Sequence, residues 1–579
     1  MSRRWRGIDS RSLRCRLSIE RTKINRHLVG KVAGLAAIFF VALAPTLSWP
    51  QFSGDSEDLV VQTVLEMRNG GPWLVPTLGG RPRTRKPPLP AWIAAAAVSP
   101  DTIRDLSSTQ PAVRESAYRN LAWQVRWPSL LAGCLMLLAL GWMAEMIGGP
   151  AHVIPAVLCG GTSLLFLRYA RTATPDVHLA LWVTVANAFL AAAMIRGRRW
   201  LGFIGGGAAL GLALMSKGPV ALVETVLPFA VFGIMRRKCD RTAGLTPQWP
   251  PILAGTLVML AIALPWYVSI VVGQPGILSV WLNELRGEGV KSISHDPWYA
   301  YWALLPNLLP WLPMFIAGMY LAIPNLVSRR SRHLRRIALA VLLVLIPVVV
   351  LSLFHDRKER YLLPLAAPAA ILVAHAVVRL KRAIPLRRPN EKLVWTIHWG
   401  ILIAMAIGLP LYLFKRLNGT PWFSVPGTFL SISGGVGILI AGKFLQRRLR
   451  LSFVTAGAAL MLPLYALFMY GWSQSSEGLS EMKPIADRLH ADFPGRRIVY
   501  YNPTNDKPVT LDLDIYLNRP VAVESNAPPS KAFEGAAAIV VLRNDKDQEP
   551  NFAGWRTHFE LMSRKHHWYV LTPSGRLSS

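Results

Sequence analysis

The sequence predicts a helical protein that crosses a membrane many times, with a small α/β domain at its C-terminal end. Of its 579 residues, 52% are hydrophobic and only 17% are charged, and the mean hydropathy is positive. This balance is typical of a protein whose solvent is mostly lipid. The net charge of +32 comes from short basic runs between apolar segments, which indicates control of membrane topology rather than binding of nucleic acid.

A membrane-spanning helix needs about 20 mostly apolar residues, and about thirteen segments meet that condition. The first one contains an Ala-Leu-Ala sequence typical of signal-peptide cleavage sites. Its length and the following Pro45 favour an uncleaved helix. The predicted spans lie at about 31–49, 125–147, 151–169, 177–195, 200–216, 218–235, 252–272, 300–325, 337–354, 361–378, 393–413, 426–444 and 451–472.

The basic residues predict how these spans are oriented. The N-terminal 31 residues carry ten Lys or Arg, and cytoplasmic segments are enriched in such residues. Alternate loops are also basic, and a short basic run at 414–416 is the exception. The basic loops lie at 196–199, 236–241, 329–336, 379–388 and 447–450. This pattern predicts a cytoplasmic N-terminus and, with an odd number of spans, an external C-terminus.

Three regions follow from that topology. Residues 1–30 form a basic cytoplasmic N-terminus, and residues 31–472 form the transmembrane domain. External loops at 50–124 and 273–299 belong to the transmembrane domain. Residues 473–579 form an extracytoplasmic domain, in which a helical run and short β-rich runs predict an α/β fold. No cluster of catalytic residue types is visible in this domain, so a structural or regulatory cap is the favoured interpretation.

Four acidic residues lie at positions that burial in a membrane does not explain. Asp55, Glu57 and Asp58 stand at the start of an amphipathic helix in the first external loop, and Asp176 stands at the mouth of the fourth span. Acids at helix starts can simply cap the helix and favour its dipole. Two carboxylates at one interface can also transfer a proton and orient a hydroxyl group.

Two basic clusters fall on the external side, where topology does not require cations. Guanidinium and ammonium groups at an interface suit a phosphate, although bulk anionic lipid is the simpler partner. His295 begins the eighth span. A lone histidine in such a place is more often an interface residue than a metal ligand. The clusters consist of Arg83, Arg85 and Lys86 in the first loop, and of Arg357, Lys358 and Arg360 between the ninth and tenth spans.

Four stretches of sequence resemble motifs of the C-type integral-membrane glycosyltransferases, specifically the bacterial aminoarabinose lipid A transferase-like group. That group is related to the protein O-mannosyltransferases. The stretches are SEDLVVQTVLEMRNGGPWLVPTLGGRPRTRKPPLPAW, ARTATPDVHLALWVTVA, GLALMSKGPVALV and KERYLLPLAAPAAIL. Their order and spacing, together with the thirteen-helix layout and external C-terminal domain, also resemble this family over roughly residues 30–380.

The resemblance implies the GT-C fold and a polyprenyl-phosphate sugar donor, such as undecaprenyl phosphate. It assigns Lys86 to the donor phosphate and Asp176 to the second acidic motif of the family. Arg85, Lys358, Arg360 and Tyr361 are further candidates for phosphate binding because they belong to or adjoin the matching motifs.

The sequence departs from the family pattern at two positions. The leading acid of the family falls on Ser56 and the following one on Glu57, so Asp55, Glu57 and Asp58 all stay candidates for the catalytic acid, with Glu57 first. The metal-binding Glu of the family is replaced by Arg85. No cofactor is certain, and a divalent metal stays open, with His295 as the candidate ligand.

The resemblance therefore implies a hexosyl- or pentosyltransferase of the cell inner membrane, which moves a sugar to an extracytoplasmic acceptor such as lipid A, a protein or a surface glycan. A lipid-linked sugar transporter or flippase is the alternative. It predicts ionisable residues near the bilayer midplane and paired repeats, neither of which the sequence contains. A structural scaffold would leave the external basic clusters unexplained.

The topology can be tested with a reporter fused at Ser476. We expect a reporter that is active only outside the cytoplasm, such as alkaline phosphatase, to be active there. Activity at that position from a reporter that works only in the cytoplasm would contradict the thirteen-span arrangement.

Overall fold

The computed structural model describes residues 26–574 with internal gaps. The gaps are 53–55, 240–248, 287–298, 328–331, 355–356, 384–388, 417–432, 434–435, 438–439, 441–452, 475–478, 502–510, 525–528, 530–532, 544–550 and 563–565. Asp55 and His295 therefore lie outside the described residues, as does most of the predicted span at 426–444.

The N-terminal part of the described chain contains the first predicted span and the loop that follows it. Helix α1 covers Arg26–Leu43 and continues into a 3-10 turn, Ala44–Thr46. In the loop, the elements are α2 (Ser56–Arg68), β1 (Thr77–Leu78), β2 (Arg81–Pro82), α3 (Leu89–Ala97) and α4 (Pro100–Leu106). Strands β1 and β2 form an antiparallel hairpin.

The helical bundle follows. Its elements are α5 (Pro111–Gly148), α6 (Pro150–Gly161), α7 (Leu164–Tyr169), α8 (Pro175–Arg196), α9 (Arg199–Lys217), α10 (Val220–Glu224), α11 (Val226–Cys239), α12 (Trp249–Gly273), α13 (Ile277–Arg286), a 3-10 helix (Ala300–Ala303), α14 (Leu304–Asn307), α15 (Leu312–Ala322), α16 (Pro324–Val327), α17 (Arg332–Leu351), a 3-10 helix (Glu359–Leu365), α18 (Ala366–Ala383), α19 (Pro389–Arg416) and α20 (Phe453–Ser473).

The prediction of a multi-pass helical membrane protein is confirmed. Among the described residues, seven helices are long and apolar enough to cross a membrane, and a pair bent by 108° at 300–322 makes an eighth. Four shorter apolar helices lie at predicted spans as well. The full count of thirteen stays a prediction, because the twelfth predicted span falls largely outside the described residues.

Helix α5 is much longer than the span predicted for it. Its 38 residues correspond to about 57 Å at 1.5 Å per residue, whereas a bilayer core is about 30 Å thick. The predicted span began at 125, but the helix begins at Pro111. The extra turns belong to the first loop, where one face of the helix, with Arg114, Tyr118 and Leu121, is buried against other protein segments.

The C-terminal region forms a five-stranded sheet with two helices. Helix α21 covers Met482–Asp492 and α22 covers Leu511–Leu517. The strands are β3 (Ile498–Tyr501), β4 (Ala522–Glu524), β5 (Ala538–Arg543), β6 (Trp555–Met562) and β7 (His567–Pro573). Their order is β4-β3-β5-β7-β6. Strand β3 is parallel to β4 and β5, and β7 is antiparallel to β5 and β6.

This region shares one apolar core with the first loop. Val60 and Leu121 belong to the same buried cluster as Leu513 and Tyr516. Hydrogen bonds reinforce the contact, because the Tyr516 hydroxyl accepts from the Phe52 N–H (3.0 Å) and the Tyr118 hydroxyl donates to the Tyr516 carbonyl (2.8 Å). The loop that carries the candidate acids is therefore held from above by α22 and from below by the helical bundle.

Two carboxylates of α22 are buried in this contact. Burial raises the pKa of Asp512 to about 6, and burial raises the pKa of Asp514 to about 7, against the hydrogen bond that Asp514 accepts from the Val521 N–H. Glu66 of α2 adds to the shift at Asp514. The contact between the first loop and the C-terminal region therefore contains ionisable groups that titrate well above the usual range of Asp.

The stability of this contact should fall as the pH rises. A carboxyl group with a raised folded-state pKa contributes its full stabilisation at pH values below its unfolded pKa of about 4. Between that pH and the folded-state pKa, the stabilisation falls by about 1.4 kcal/mol per pH unit. Asp514→Asn keeps an acceptor for the Val521 N–H but cannot ionise. We expect hydrogen exchange of residues 511–524 to be slower in Asp514→Asn than in wild type at about pH 8, and equal at about pH 4. A difference that does not change with pH would contradict this prediction.

Candidate functional site

Glu57 lies in the first turn of α2 and is fixed by a buried ion pair. The Nε and Nη2 atoms of Arg126 each donate to one of its carboxylate oxygens at 2.8 Å, and the N–H of Ala173 donates to Oε1 at 2.7 Å. Arg126 comes from α5 and is almost fully buried. Glu57 therefore joins the first loop, α5 and the turn before α8.

These contacts keep Glu57 ionised. Burial alone raises the pKa of Glu57, but the charge and hydrogen bonds of Arg126, with the Ala173 N–H, outweigh it and leave the pKa below its usual value. A carboxylate with both oxygens engaged in this way is a poor proton acceptor. The geometry favours a positioning role for Glu57 over the role of general base.

The neighbouring acids have different surroundings. Asp58 is buried and exerts its charge on Arg126 and on Tyr516 of the C-terminal region. Ser56, which stands in place of the leading acid of the motif, begins α2. The structure thus directs Asp58 toward the contact with α22, while Asp55 lies outside the described residues.

Asp176 is the centre of a second charged group, at the N-terminal end of α8. Its Oδ1 pairs with Lys217 Nζ, at the last residue of α9. Its Oδ2 lies 3.5 Å from Arg360 Nε, in the 3-10 helix before α18. Lys217 Nζ also lies 3.6 Å from the centre of the Tyr361 ring, and the Arg360 guanidinium lies 5.6 Å from it. Three distant segments therefore meet at one buried carboxylate.

Close backbone packing helps to fix the position of Lys217. Helix α9 lies against α12 so closely that a Cβ added at Gly207 would come within 1.9 Å of the Gly255 carbonyl oxygen. Small residues permit this approach between membrane helices. The end of α9, which carries Lys217, is consequently held by a rigid pair of helices.

Lys86 reaches this group from the first loop. It lies within electrostatic range of Lys217, and a pocket lined by Val60, Arg83 and Lys86 also includes Pro175, the residue before Asp176. Pro87 and Pro88 line the same pocket and restrict the backbone after the lysine. We call Lys86, Lys217, Arg360, Tyr361 and Asp176 the cationic group.

Arg83 has a role that the sequence did not reveal. Its Nη1 donates to the Leu59 carbonyl oxygen (2.8 Å) and to Thr63 Oγ1 (2.7 Å), both on α2. Burial lowers the pKa of Arg83 to about 10, so it stays protonated at neutral pH. Arg83 therefore holds the basic stretch against α2, and its replacement would disturb that contact as well as remove a charge.

The other predicted residues lie around this group at varying depth. Arg85 is exposed, and Lys358 is partly buried directly before the 3-10 helix that carries Arg360. Arg357 donates to the Ser352 carbonyl oxygen at the end of α17. Of the predicted phosphate ligands, the structure thus joins Arg360 directly to Asp176, while Tyr361 contacts Arg360 and Lys217 through the face of its ring.

The described residues do not fit a metal site. Among them, no group of three or more His, Cys, Asp or Glu side chains could hold a metal ion. An exposed arginine, Arg85, occupies the position of the expected Glu ligand.

Two ionisable residues of the site were not predicted. Lys217 stands in a Ser-Lys-Gly-Pro joint between apolar runs, and an ionisable residue in such a place indicates a functional site. Glu224, inside the predicted span at 218–235, ends the short helix α10 and is buried, and the charges of Lys217 and Asp176 act on it. Lys217 pairs with Asp176 directly, whereas the Glu224 carbonyl oxygen accepts from Asn187, eleven residues further along α8.

Comparisons with known proteins agree with this architecture. Residues 118–268 match the family model described as dolichyl-phosphate-mannose-protein mannosyltransferase. ArnT from Cupriavidus metallidurans, solved with bound undecaprenyl phosphate, superposes with a TM-score of 0.68 over 93% of this chain and 98% of that chain, at 16% identity. The chain has the GT-C fold of the membrane glycosyltransferases.

Sequence relatives point to the same group. The undecaprenyl phosphate-alpha-4-amino-4-deoxy-L-arabinose arabinosyl transferase of Edwardsiella ictaluri is 26% identical over 60% of each chain. The enzyme of the same name from Shewanella sediminis is 26% identical over 79% of this chain and 78% of its own. The chain thus matches about three fifths of the former relative and more of the latter, and its sequence is similar to the aminoarabinose transferases and to the O-mannosyltransferase family model.

The Glu57–Arg126 pair should behave as a structural unit. Glu57→Gln leaves a buried guanidinium without its counterion, which typically costs about 3–5 kcal/mol. We expect Glu57→Gln and Arg126→Gln each to lower the thermal unfolding temperature of the purified protein. The double variant should lose less than the sum of the two.

Arg119→Gln is the matched control, since Arg119 lies on the same helix and makes an exposed ion pair with Glu115 at 3.3 Å. An exposed pair is worth about 1 kcal/mol or less. Strictly additive losses in the double variant would show that the two side chains do not act as a pair.

Proposed function

We propose that this chain transfers a sugar from a polyprenyl phosphate, such as undecaprenyl phosphate, to an acceptor outside the cytoplasm. The observation that carries the proposal is the cationic group: Lys217 and Arg360 pair with the Asp176 carboxylate, and Lys86 lies within electrostatic range of Lys217. An excess of cations at one small site suits a phosphate. The relatives named above use undecaprenyl phosphate according to their names, which supports the same donor.

The geometry supports a specific division of labour. Lys217 and Arg360, now paired with Asp176, would turn to the donor phosphate together with Lys86. Asp176 would then be released to accept the proton of the acceptor hydroxyl. As the hydroxyl oxygen attacks the anomeric carbon, the bond from that carbon to the phosphate oxygen breaks, and the three cations stabilise the departing lipid phosphate. Attack from the face opposite the phosphate inverts the anomeric centre.

The first-loop acids have positioning and orienting roles in this proposal. In our proposal Glu57 positions the Ala173 turn, three residues before Asp176, rather than taking the proton itself. Asp55 and Asp58 stay predicted contributors to orientation of the acceptor. The proposed setting is the cell inner membrane, crossed thirteen times, with the N-terminus in the cytoplasm and the residues after 473 outside.

The donor assay tests the function directly. Purified protein in lipid vesicles is given a radiolabelled undecaprenyl-phosphate sugar and a membrane-extract acceptor fraction, and labelled product is measured. We expect transfer by wild type and little or none by Asp176→Asn. Movement of intact labelled donor across the bilayer without transfer would instead identify the chain as a lipid-linked sugar transporter or flippase.

Lys86 should be required for use of the donor. Losing one charge-assisted contact to a partly buried phosphate costs about 1.5–3 kcal/mol, so we expect Lys86→Ala to lower transfer at limiting donor at least about tenfold. The loss should be the same in neutral and anionic vesicles.

Arg81→Ala is the control for the preceding experiment, because Arg81 is an exposed cation of the same loop, in β2. General attraction of anionic lipid contributes about 1 kcal/mol per cation and depends strongly on salt. Equal and modest losses in both variants that vanish in neutral lipid would show that Lys86 is only a surface charge.

A further inference from the structure

A second cavity, of about 250 Å³, lies between α2 and the segment that links α22 to β4. Its walls come from both sides of the contact between the first loop and the C-terminal region. Val60 and Thr63 of α2 line the pocket beside Lys86, whereas a different face of the same helix lines this cavity. The residues around it are Gln62, Leu65, Glu66, Asn69, Gly71, Thr77, Asn518, Arg519 and Pro520.

The rim of the cavity is built by a network of hydrogen bonds. The Glu66 carboxylate accepts from Gln62 Nε2 (3.1 Å), the Gly79 N–H (2.6 Å), the Gly80 N–H (3.3 Å) and the Thr77 hydroxyl. Glu66 is therefore saturated with donors and holds the β1–β2 hairpin against α2. The first-loop side of the cavity is a fixed surface.

The opposite side is fixed by Asn518. This residue adopts a positive φ of 51°, which Asn tolerates better than most residues. Its side-chain oxygen accepts from Asn69 Nδ2 at 3.0 Å, and its Nδ2 donates to the Ile103 carbonyl oxygen at 3.2 Å. These bonds place the next residue, Arg519, at the cavity.

Two polar groups at the cavity are left for a ligand. Gln62 is almost fully buried, yet its Oε1 has no hydrogen-bond partner. Arg519 is half-buried, and within the described parts of the chain its guanidinium forms no hydrogen bond or ion pair. A buried acceptor without a donor is costly, and a partly desolvated cation favours an anion.

The chemistry of the lining matches a saccharide. Amide and guanidinium groups present flat arrays of donors or acceptors, which suit neighbouring hydroxyl groups. Leu65 and Pro520 add an apolar surface for the C–H groups of a ring. The volume lies just below the range of about 300–1,000 Å³ typical of small-molecule sites, so a single sugar ring is the largest fitting unit.

We propose that this cavity binds a sugar ring carrying an anionic substituent, with hydroxyl groups at Gln62 and the anion at Arg519. Its assignment to the acceptor rests on the proposed function: the donor phosphate would occupy the cationic group, and α2 separates the two sites. In that case the acceptor is a glycan or glycolipid with an acidic sugar, held at a distance from its reacting hydroxyl.

The binding test uses the full chain in detergent and three probes, namely glucose 1-phosphate, glucose and inorganic phosphate, with affinities measured by isothermal titration calorimetry. We expect glucose 1-phosphate to bind more tightly than either other probe. Arg519→Gln should weaken glucose 1-phosphate about tenfold, the effect of one charge-assisted hydrogen bond, and should leave glucose nearly unchanged. Gln62→Met, which is close in size, should weaken both sugars.

Two controls locate the binding. Arg556→Gln removes the same charge from an exposed position on β6, at the sheet edge opposite β4, and should change nothing. Lys86→Ala weakens binding of the phosphate probes at the cationic group, so the affinities for this cavity are compared in that background. The proposal is overturned if, in the Lys86→Ala background, no probe binds saturably, if inorganic phosphate binds as tightly as glucose 1-phosphate, or if Arg519→Gln leaves the affinity for glucose 1-phosphate unchanged.

Binding and transfer can fail separately. Loss of sugar-phosphate binding in a wild-type protein that still transfers label would end this inference and leave the proposed function standing. Binding that follows the expected pattern in a protein without transfer activity would keep the site and remove its assignment to an acceptor.

Discussion

The guanidinium of Arg126 holds together the segments on which the candidate site is built. Besides its two bonds to Glu57, its Nη1 donates to the carbonyl oxygens of Leu47 and Pro50, at 2.7 and 2.8 Å. One buried cation thus satisfies the end of the first helix, the start of α2 and, through Glu57, the turn before α8. Because every bond of this unit is charge-assisted and shielded from water, the three segments keep fixed relative positions. That turn contains Ala173, three residues before Asp176, and so fixes the position of Asp176.

The cationic group is arranged on a different principle, since it contains more cations than carboxylates. Lys217 and Arg360 share the Asp176 carboxylate, Lys86 lies within electrostatic range of Lys217, and Tyr361 offers the face of its ring to Lys217 and Arg360. A ring face stabilises a cation without neutralising it. The group therefore keeps a net positive charge in a site that excludes much of the solvent, which favours an anion over the empty state.

The sequence predicted the helical membrane fold because lipid leaves few alternatives. A backbone in lipid must satisfy its polar groups internally, so long apolar runs have to be helices. Side-chain partnerships were less predictable. Glu57 is predicted to be catalytic because it stands at an acidic position of the family motif. Its ion-pair partner, Arg126, stands 69 positions away, and no local pattern in the sequence indicates the pair. Lys217 was present in a recognised motif, but only the folded bundle brings it to Asp176. The shared core of the first loop and the C-terminal region likewise depends on contacts between residues more than 390 positions apart.

Helix α5 has a consequence for how the two ends of the molecule are connected. Pro128 divides it into a 21-residue portion, about 31 Å long and sufficient to cross the bilayer core, and a portion from Pro111 to Trp127 on the side of the first loop. Tyr118 and Arg126, which contact α22 and Glu57, both lie on the first-loop portion. In the proposed topology, the number of residues between the bilayer core and Arg126 would therefore fix how far Glu57, and through it the Ala173 turn before Asp176, stands from the lipid. A donor whose phosphate is held at the membrane surface by its own polyprenyl chain would meet the cationic group at a fixed level, whatever the acceptor.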